Sequence, residues 1–306
     1  MIAEKVADTR KMTREEWLEH RRKGIGGSDI TVLMGVNPWR SPMDVWLEKT
    51  EEFDTEDEDN EVMYWGRVLE DIVAREFTER TGKKVRKKNS ILRHPGHYFL
   101  MANVDRLVIG EKTGLECKTT NAFYQDNGQC PELYYAQAQH YMTVTGYEKW
   151  YVAVLAGGQR FYIYEVLRDT AYIDEIIRAA QYFWHLVEKG KPPEFDGSEA
   201  SSRIVARMYP RATEEEAELP ADAFTLVHLY DEAAEEEKAA KTRKDEAANK
   251  LKAMLGEAEK GFVYDRKVSW TNVDGARLDT KKLKENEPEI YEKYTKTSNY
   301  RRFQVK

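Results

Sequence analysis

The sequence predicts an α/β fold in which a central mixed β-sheet is flanked by helices, followed by a smaller α+β extension. Two observations predict it. Between residues 14 and 189 the segments run in the order helices, strands, helix, strands and helix, which is typical of one sheet covered by helices. After residue 195 the composition changes to a long segment rich in Ala, Glu and Lys. We therefore expect a domain at residues 1–195 and an extension at residues 196–306.

The helices of the first domain are marked by start signals and by apolar periodicity. Thr13 and Glu16 form a capping-box pattern, and Pro42 stands at a first helical position. Residues 61–81 carry an apolar stripe at helical spacing, and Gly82 follows it as a stop signal. The predicted helices cover about residues 14–23, 29–35, 42–49, 61–81, 132–145 and 169–189.

Short segments rich in β-branched and aromatic residues supply the predicted strands. One lies near residues 84–92, and two more form a hairpin within residues 101–120. The segments at 149–158 and 160–166 complete the sheet, and the first of them is expected to be largely buried. The acidic run at 51–61 is predicted to be an exposed loop.

The extension is predicted to contain one long helix, a hairpin and a terminal helix. The long helix covers residues 221–256 and has large apolar side chains only near its two ends. Because such a helix has too little apolar surface to be stable alone, we expect it to pack on its own subunit or on a partner. The hairpin lies within residues 261–273, and the terminal helix lies near 280–294.

Composition excludes several classes of protein. The chain has 306 residues and only two cysteines, Cys117 and Cys130, which form no CxxC pair. This pattern argues for a reducing compartment and against a zinc or iron–sulfur site. No apolar run approaches the length of a membrane span, and the N-terminal residues contain no apolar segment typical of a secretory signal. We expect a cytoplasmic protein with no membrane contact.

The distribution of charge is more informative than the net charge of −7. Residues 51–61 hold eight acidic residues and no base, whereas residues 80–93 hold seven bases and no acid. A basic stripe on an acidic protein is compatible with a local contact to nucleic-acid phosphates. The alternative is a solvated surface without a partner. The candidate phosphate-contacting side chains in this stripe are Lys83, Lys84, Arg86, Lys87 and Lys88.

The hairpin within residues 101–120 carries the candidate chemistry. If Gly110 and Glu111 form a two-residue loop, the register places Asp105 directly opposite Glu116. Side chains paired in this way have Cβ atoms about 4.5–5.5 Å apart. Lys118 lies on the same face as Glu116 because strand side chains alternate with a period of two. Two carboxylates and an amine would therefore converge.

Two carboxylates at this spacing repel each other and require a neutralising group. Mg²⁺ is suitable, because it binds one or two carboxylates and keeps several waters or substrate phosphate oxygens. Lys118 would then lie beside the attacking water, which is the arrangement needed for phosphodiester hydrolysis. The alternative reading is a surface hairpin with a cross-strand ion pair.

Three further segments add candidate site residues. Glu70 follows Gly66 by one helical turn, and it either reaches a metal or faces solvent. Gln137 either contacts the site through its amide or is a polar residue at a helix boundary. The segment GIGGSD, which contains Gly26, Gly27 and Ser28, is a candidate phosphate-binding turn in which glycines adopt the left-handed conformation. It is equally consistent with an ordinary glycine-rich turn before a helix.

Taken together, these segments resemble the YqaJ-type viral recombinase family, a lambda-exonuclease-like branch of the PD-(D/E)xK nuclease superfamily. The resemblance covers roughly residues 14–190 and rests on five motifs that occur in the family's order. They are RRKGIGGSD, WGRVLED, ANVDR, LECKTT and YYAQAQHYM. It implies a restriction-endonuclease-like core, with the long helix and the hairpin as a C-terminal extension. The superfamily's proline before the first acid is absent, since the sequence reads Asn103-Val104-Asp105.

The resemblance also implies roles for individual residues. Asp105, Glu116 and the backbone carbonyl of Cys117 would be metal ligands, and Lys118 would position or activate the attacking water. Glu70 would serve a second metal or its waters, and Gln137 would contact the site. Arg21 and Ser28 would bind the terminal 5′-phosphate of the DNA.

The implied activity is a Mg²⁺-dependent 5′–3′ exonuclease on linear double-stranded DNA, with Mn²⁺ as a substitute cation. It would release mononucleotides and leave 3′ single strands for single-strand-annealing recombination. The implied partners are duplex DNA with a free 5′ end, an annealing protein of the RecT/Bet type, and further copies of the chain in a trimeric ring. The chain would be encoded by a phage or prophage and act in the bacterial cytoplasm. Two alternatives remain at this point: a nicking or structure-selective endonuclease, and a non-catalytic DNA-binding or scaffold subunit.

Overall fold

The computed structural model describes residues 3–50 and 61–305. The predicted acidic loop at 51–61 therefore lies, except for Glu61, outside the described residues. The chain divides into two compact units, Met1–Met208 and Tyr209–Lys306.

The first unit is a mixed α/β structure, as the sequence predicts. Its helices are α1 (Arg14–Arg22), α2 (Gly27–Leu33), α3 (Pro42–Thr50), α4 (Glu61–Thr81), α5 (Glu132–Thr145), α6 (Thr170–Glu188) and α7 (Glu199–Met208). Its strands are β1 (Glu4–Asp8), β2 (Val85–Lys87), β3 (Ser90–Arg93), β4 (Met101–Asn103), β5 (Arg106–Val108), β6 (Thr113–Thr120), β7 (Lys149–Ala156) and β8 (Arg160–Leu167).

The central sheet has five strands in the order β2-β5-β6-β7-β8. Strands β6 and β7 are parallel, and the other neighbours are antiparallel. The parallel pair is possible because helix α5 returns the chain between the two strands. A second sheet of three antiparallel strands has the order β1-β3-β4.

Two of the predicted strand segments are each divided between the two sheets. The segment predicted near 84–92 forms β2 in the central sheet and β3 in the smaller one. The first half of the 101–120 segment is likewise split into β4 and β5, and Val104 and Asp105 form the crossing point. Asp105 is thus located where the chain passes from one sheet to the other. Strand β1 was not among the predicted elements.

Apolar side chains cover both faces of the central sheet. On β7, Trp150 and Val152 belong to a large core cluster with residues of α2, α5 and α6. Their neighbours Tyr151 and Ala153 belong to a smaller cluster with Phe77 of α4. This alternation follows from the two-residue period of a strand and shows why β7 is buried along most of its length.

Helix α7 extends the first unit beyond the boundary predicted at residue 195. Ala200, Ser201 and Ile204 are buried, and Ile204 joins the large core cluster. The helix packs against α3. The division between the units therefore falls after Met208, because the apolar face of α7 completes the first core.

The second unit contains α8 (Ala223–Leu255), β9 (Lys260–Val263), β10 (Arg266–Ser269), α9 (Thr280–Asn286) and α10 (Pro288–Tyr294). The long helix and the antiparallel hairpin agree with the predicted elements. The terminal helix is two short helices, because Pro288 begins a new one. No residue of α8 is buried in this unit as described. None of the helices in the described ranges is both long and apolar enough to cross a membrane.

Candidate active site

The register between β5 and β6 brings two acidic side chains together. Arg106 pairs with Leu115, and Leu107 pairs with Gly114. Continued by one residue, the same register places Asp105 opposite Glu116, as the spacing of the sequence predicts. The amide of Cys117 donates a 2.9 Å hydrogen bond to Oδ2 of Asp105 and fixes its carboxylate against β6.

Glu116 is the most enclosed member of the site. Its side chain is 3 % exposed, and Oε1 lies 2.7 Å from the Nζ atom of Lys118. Gln137 on α5 donates from Nε2 to the same Oε1 at 2.8 Å and to the hydroxyl of Tyr141 at 2.7 Å. The other carboxylate oxygen, Oε2, is buried and has no hydrogen-bond partner among the described residues.

The charges of these side chains perturb one another. Burial, followed by the nearby Glu116 carboxylate, raises the pKa of Asp105 to about 8. Burial acts to lower the pKa of Lys118, but the carboxylates of Glu116 and Asp105 outweigh it and the pKa is raised. The amine of Lys118 therefore remains protonated, and one of the two anions is held at a large electrostatic cost.

The donor set fits a hard divalent cation. Glu116 Oε2 is a buried acceptor that lacks a partner, and the neighbouring Asp105 carboxylate is destabilised by the same negative charge. A cation between the two would satisfy the acceptor and cancel the repulsion. In the described part of the chain, no three His, Cys, Asp or Glu side chains cluster as a metal site. Carboxylate oxygens are the ligands that Mg²⁺ takes, usually one or two at a time, so the identity of the cation stays a prediction.

One cavity joins this acidic centre to the predicted phosphate site. It has a volume of about 200 Å³ and is lined by Arg21, Gly26, Gly27 and Ser28 as well as by Asp105, Glu116, Gln137 and Tyr141. Arg21 donates from Nη2 to the Ser28 hydroxyl at 3.2 Å. The structure thus brings the two predicted groups of residues to a single concave surface.

Comparison with known proteins identifies the family. Residues 16–148 match the YqaJ-like viral recombinase domain. Over 312 aligned residues the chain is 42% identical to a Bacillus subtilis (strain 168) protein described as "Uncharacterized protein YqaJ", and the match covers 99% of this chain and 98% of that protein. The chain belongs to the YqaJ-like viral recombinase family.

Solved structures resemble part of this YqaJ-like chain. An alkaline exonuclease from Laribacter hongkongensis (LHK-Exo) is 19% identical with a TM-score of 0.47, over 63% of this chain and 99% of that one. A putative exonuclease from Eubacterium rectale is 11% identical with a TM-score of 0.45, over 68% of this chain and 96% of that one.

Glu70 of the YqaJ-like chain is held in an ion pair. Its carboxylate contacts the guanidinium of Arg106, which also contacts Asp71 and donates to the carbonyl of Asp105 at 2.9 Å. Burial and then the charge of Asp105 raise the pKa of Glu70, and Arg106 opposes both effects. Glu70 is therefore electrostatically coupled to Asp105, and its assignment to a second metal stays a prediction. The assignment of the Cys117 backbone carbonyl as a metal ligand likewise stays a prediction.

Gly24 and Gly27 of the GIGGSD segment serve close packing, and the segment's glycines do not form a left-handed phosphate nest. Gly24, Gly26 and Gly27 are absent from the positive-φ glycines of the described chain, so this part of the prediction is wrong. A Cβ on Gly27 would lie 2.8 Å from the ring of Tyr141, and one on Gly24 would lie 2.5 Å from Met101 Sδ. The amide of Gly26 donates to an internal carboxylate at 3.0 Å.

The predicted basic stripe lies on the edge strand β2 and its flanks. Lys83 pairs with Glu111 at 2.6 Å, and Lys87 pairs with Asp71 at 2.9 Å. Lys84 and Arg86 are exposed. None of the five predicted side chains, which include Lys88, lines the cavity described above. Their contact with the DNA backbone stays a prediction.

Several neighbours of the site were not found from the sequence. Arg106 had a weak signal, because it directly follows Asp105. Tyr141 lies one helical turn after Gln137, and the spacing places the two on one helical face, but it does not predict that Tyr141 lines the site. Asp29, Glu48 and Lys49 come from α2 and α3, and no local pattern predicts that they meet behind Arg21.

Proposed function

We propose that the protein is a Mg²⁺-dependent exonuclease that degrades the 5′-ended strand of linear duplex DNA, releases mononucleotides and leaves a 3′ single strand. One observation carries the proposal: a single cavity is lined both by the paired carboxylates of Asp105 and Glu116 and by Arg21 and Ser28. If Arg21 and Ser28 bind the terminal 5′-phosphate, the next phosphodiester of the strand would lie close to the two carboxylates. Membership of a viral recombinase family is consistent with this role.

The residues divide the chemistry between them. When bound, Mg²⁺ supplies positive charge that offsets the charge developing on the reacting phosphate. Asp105 and Glu116 would hold the cation, with Mn²⁺ as a substitute. Gln137 keeps Glu116 in place through its 2.8 Å hydrogen bond. Lys118 keeps its proton and presents Nζ to the attacking water and the phosphate, where a cation lowers the barrier.

Phosphodiester hydrolysis needs a barrier reduction on the order of 20 kcal/mol. Two paired carboxylates with one cation and one lysine supply only part of it. Arg21 supplies another part of the barrier reduction by binding the DNA end. A bound end holds the scissile bond at the site, so the reaction becomes effectively intramolecular. Glu70 is the candidate for holding a second cation beside Asp105.

The biological setting follows from the same proposal. The 3′ strand left by the reaction is the substrate of a single-strand annealing protein, which we propose as the functional partner. A trimeric ring around the DNA would keep the enzyme on its substrate. We propose that the protein acts on DNA in the cytoplasm of a bacterial cell that carries a phage or prophage.

Digestion of matched DNA substrates tests the proposal. Linear duplexes with a labelled 5′-phosphate are compared with covalently closed circles of the same sequence, with and without Mg²⁺, and the products are sized. We expect mononucleotides from the linear duplex and intact circles. The Glu116→Gln variant should be inactive, whereas Glu132→Gln, an exposed change at the start of α5, should match the wild type.

Two outcomes would overturn the proposal. Circles nicked as fast as linear ends are digested would indicate an endonuclease. DNA binding without hydrolysis at any Mg²⁺ or Mn²⁺ concentration would indicate a scaffold subunit.

A further inference from the structure

A buried lysine connects three helices behind the predicted phosphate pocket. The side chain of Lys49, at the end of α3, is 0 % exposed. Its Nζ donates to Asp29 Oδ2 at 2.8 Å, to Glu48 Oε1 at 3.2 Å and to the backbone carbonyl of Arg21 at 2.9 Å. An ammonium group has three N–H donors, so each of them has an acceptor. Lys49 is therefore saturated by protein groups and has no role as a direct DNA contact.

The acceptors of Lys49 are the same groups that hold the side chain of Arg21. Asp29 Oδ1 accepts from Arg21 Nη2 at 2.7 Å, and Glu48 Oε1 accepts from Arg21 Nε at 2.7 Å. The guanidinium also lies over the ring of Trp17 at 5.6 Å. Lys49 thus fixes the backbone of Arg21 directly and fixes its guanidinium through two carboxylates.

Arg21, Asp29, Arg40, Glu48 and Lys49 form a charged cluster in which the cations outnumber the anions. Asp29 is fully buried, and its pKa is held well below the usual range because Arg21, Lys49 and Arg40 together outweigh the effect of burial. Arg40 also pairs with Glu48 at 2.6 Å. Three cations and two anions leave one net positive charge. The two carboxylates that orient Arg21 are therefore neutralised by the cations around them.

We propose that Lys49 is a positioning residue that sets the preference of the enzyme for 5′-phosphorylated ends, and that it acts through Arg21 without touching the DNA. This inference rests on the proposed function, because it requires Arg21 to bind the terminal phosphate. A long arginine side chain that is already ordered loses little freedom when the phosphate arrives. Without Lys49, Asp29 and Glu48 lose the cation that also binds the backbone carbonyl of Arg21, and the guanidinium is held less firmly in one orientation.

The test compares kcat/KM on duplexes with a 5′-phosphate or a 5′-hydroxyl end. Lys49→Met and Glu48→Ala change the charge of the cluster in opposite directions, yet each removes a group that orients Arg21. We expect both variants to reduce the phosphate-to-hydroxyl ratio by roughly tenfold to hundredfold, mainly through KM on the phosphorylated end. A ratio that rises in Glu48→Ala would overturn the inference, because it would show that net charge alone sets the preference.

A double-mutant cycle tests the route through Arg21. In an Arg21→Ala background, Lys49→Met should cause no further change in the ratio, and an additive change would overturn the inference. Ile176→Ala, a fully buried core change in α6, should lower stability while leaving the ratio unchanged. A loss of preference in that variant would mean that the ratio reports stability alone.

Measurements on the wild type test the phosphate anchor, and measurements on the variants test the positioning role of Lys49. A wild-type enzyme with equal kcat/KM on the two ends would refute the phosphate anchor itself. A wild-type preference that Lys49→Met and Glu48→Ala both retain would refute only the positioning role of Lys49.

Discussion

Replacement of Asp105 by asparagine should make the metal-free protein more stable. The wild-type carboxylate is held beside Glu116, and burial together with that charge raises its pKa to about 8. Asparagine removes the negative charge and keeps an oxygen that can accept the hydrogen bond from the Cys117 amide. The change therefore removes repulsion and conserves the local geometry.

The size of the gain follows from proton linkage. A tenfold change in proton affinity corresponds to about 1.4 kcal/mol. With a pKa raised from 3.8 to about 8, ionisation of Asp105 costs at most about 5 kcal/mol near pH 8. Because the folded-state pKa is the higher one, the cost is absent below about pH 4, grows between about pH 4 and pH 8, and is complete above that range. The side chain is only partly buried, so we expect a gain of about 1–3 kcal/mol at pH 8.

Thermal unfolding in a chelator measures this gain. For a unit of this size, Asp105→Asn should raise Tm by about 2–4 °C per kcal/mol at pH 8 and by much less at pH 5. Mg²⁺ at a hundred times its Kd should stabilise the wild type by about 2.7 kcal/mol and should leave the variant almost unchanged. Asp174→Asn, an exposed change in α6, is the matched control. It should alter neither the Tm in chelator nor the stabilisation by Mg²⁺. A variant less stable than the wild type at pH 8, or one that responds equally to Mg²⁺, would show that Asp105 is neither repelled by Glu116 nor a ligand of the cation.

Three further substitutions test separate parts of the structure. Lys118→Met should lower kcat by at least about 10²-fold while DNA binding persists, because it removes the amine 2.7 Å from Glu116; single-turnover digestion and gel-shift titration measure the two effects. Gly27→Ala should destabilise the protein by about 1–3 kcal/mol in denaturant unfolding, because the added Cβ would lie 2.8 Å from the Tyr141 ring. Ile204→Ala should cost about 2–5 kcal/mol in the same assay, because this side chain of α7 belongs to the large core cluster.

These substitutions have clear contradicting results. Unchanged turnover in Lys118→Met would exclude the lysine from the reaction. Gly26→Ala is the control for Gly27→Ala, because the nearest atom to its added Cβ is 3.6 Å away. Equal losses in both glycine variants would argue against close packing as the cause. Val205→Ala is the exposed control for Ile204→Ala, and similar costs for the two would argue that α7 lies outside the first core.

The parts of the site that depend on local spacing could be predicted from the sequence. The opposition of Asp105 and Glu116 follows from the turn at Gly110, which has a φ of 84°, and from the pairing on either side of it. Lys118 then shares a face with Glu116 by alternation alone. The apolar period likewise predicted α4, and the start after Pro131 and the stop at Gly146 predicted α5; both helices pack on the sheet.

The parts that depend on distant contacts could not be predicted. A glycine required by a left-handed turn and a glycine required by close packing look the same in a sequence. Only the fold places Tyr141 against Gly27 and so separates the two cases. Lys49 raises the same difficulty, since its partners lie 20 and 28 residues away. The domain boundary was placed too early because the buried face of α7 covers only three residues.

The most direct test is the diffraction of a crystal soaked in Mn²⁺, measured at a wavelength where manganese scatters anomalously. We expect an anomalous peak within ligand distance of the carboxylates of Asp105 and Glu116 and on the cavity side of Lys118. A fully soaked crystal with no peak there, or with those two carboxylates turned away from each other, would contradict it.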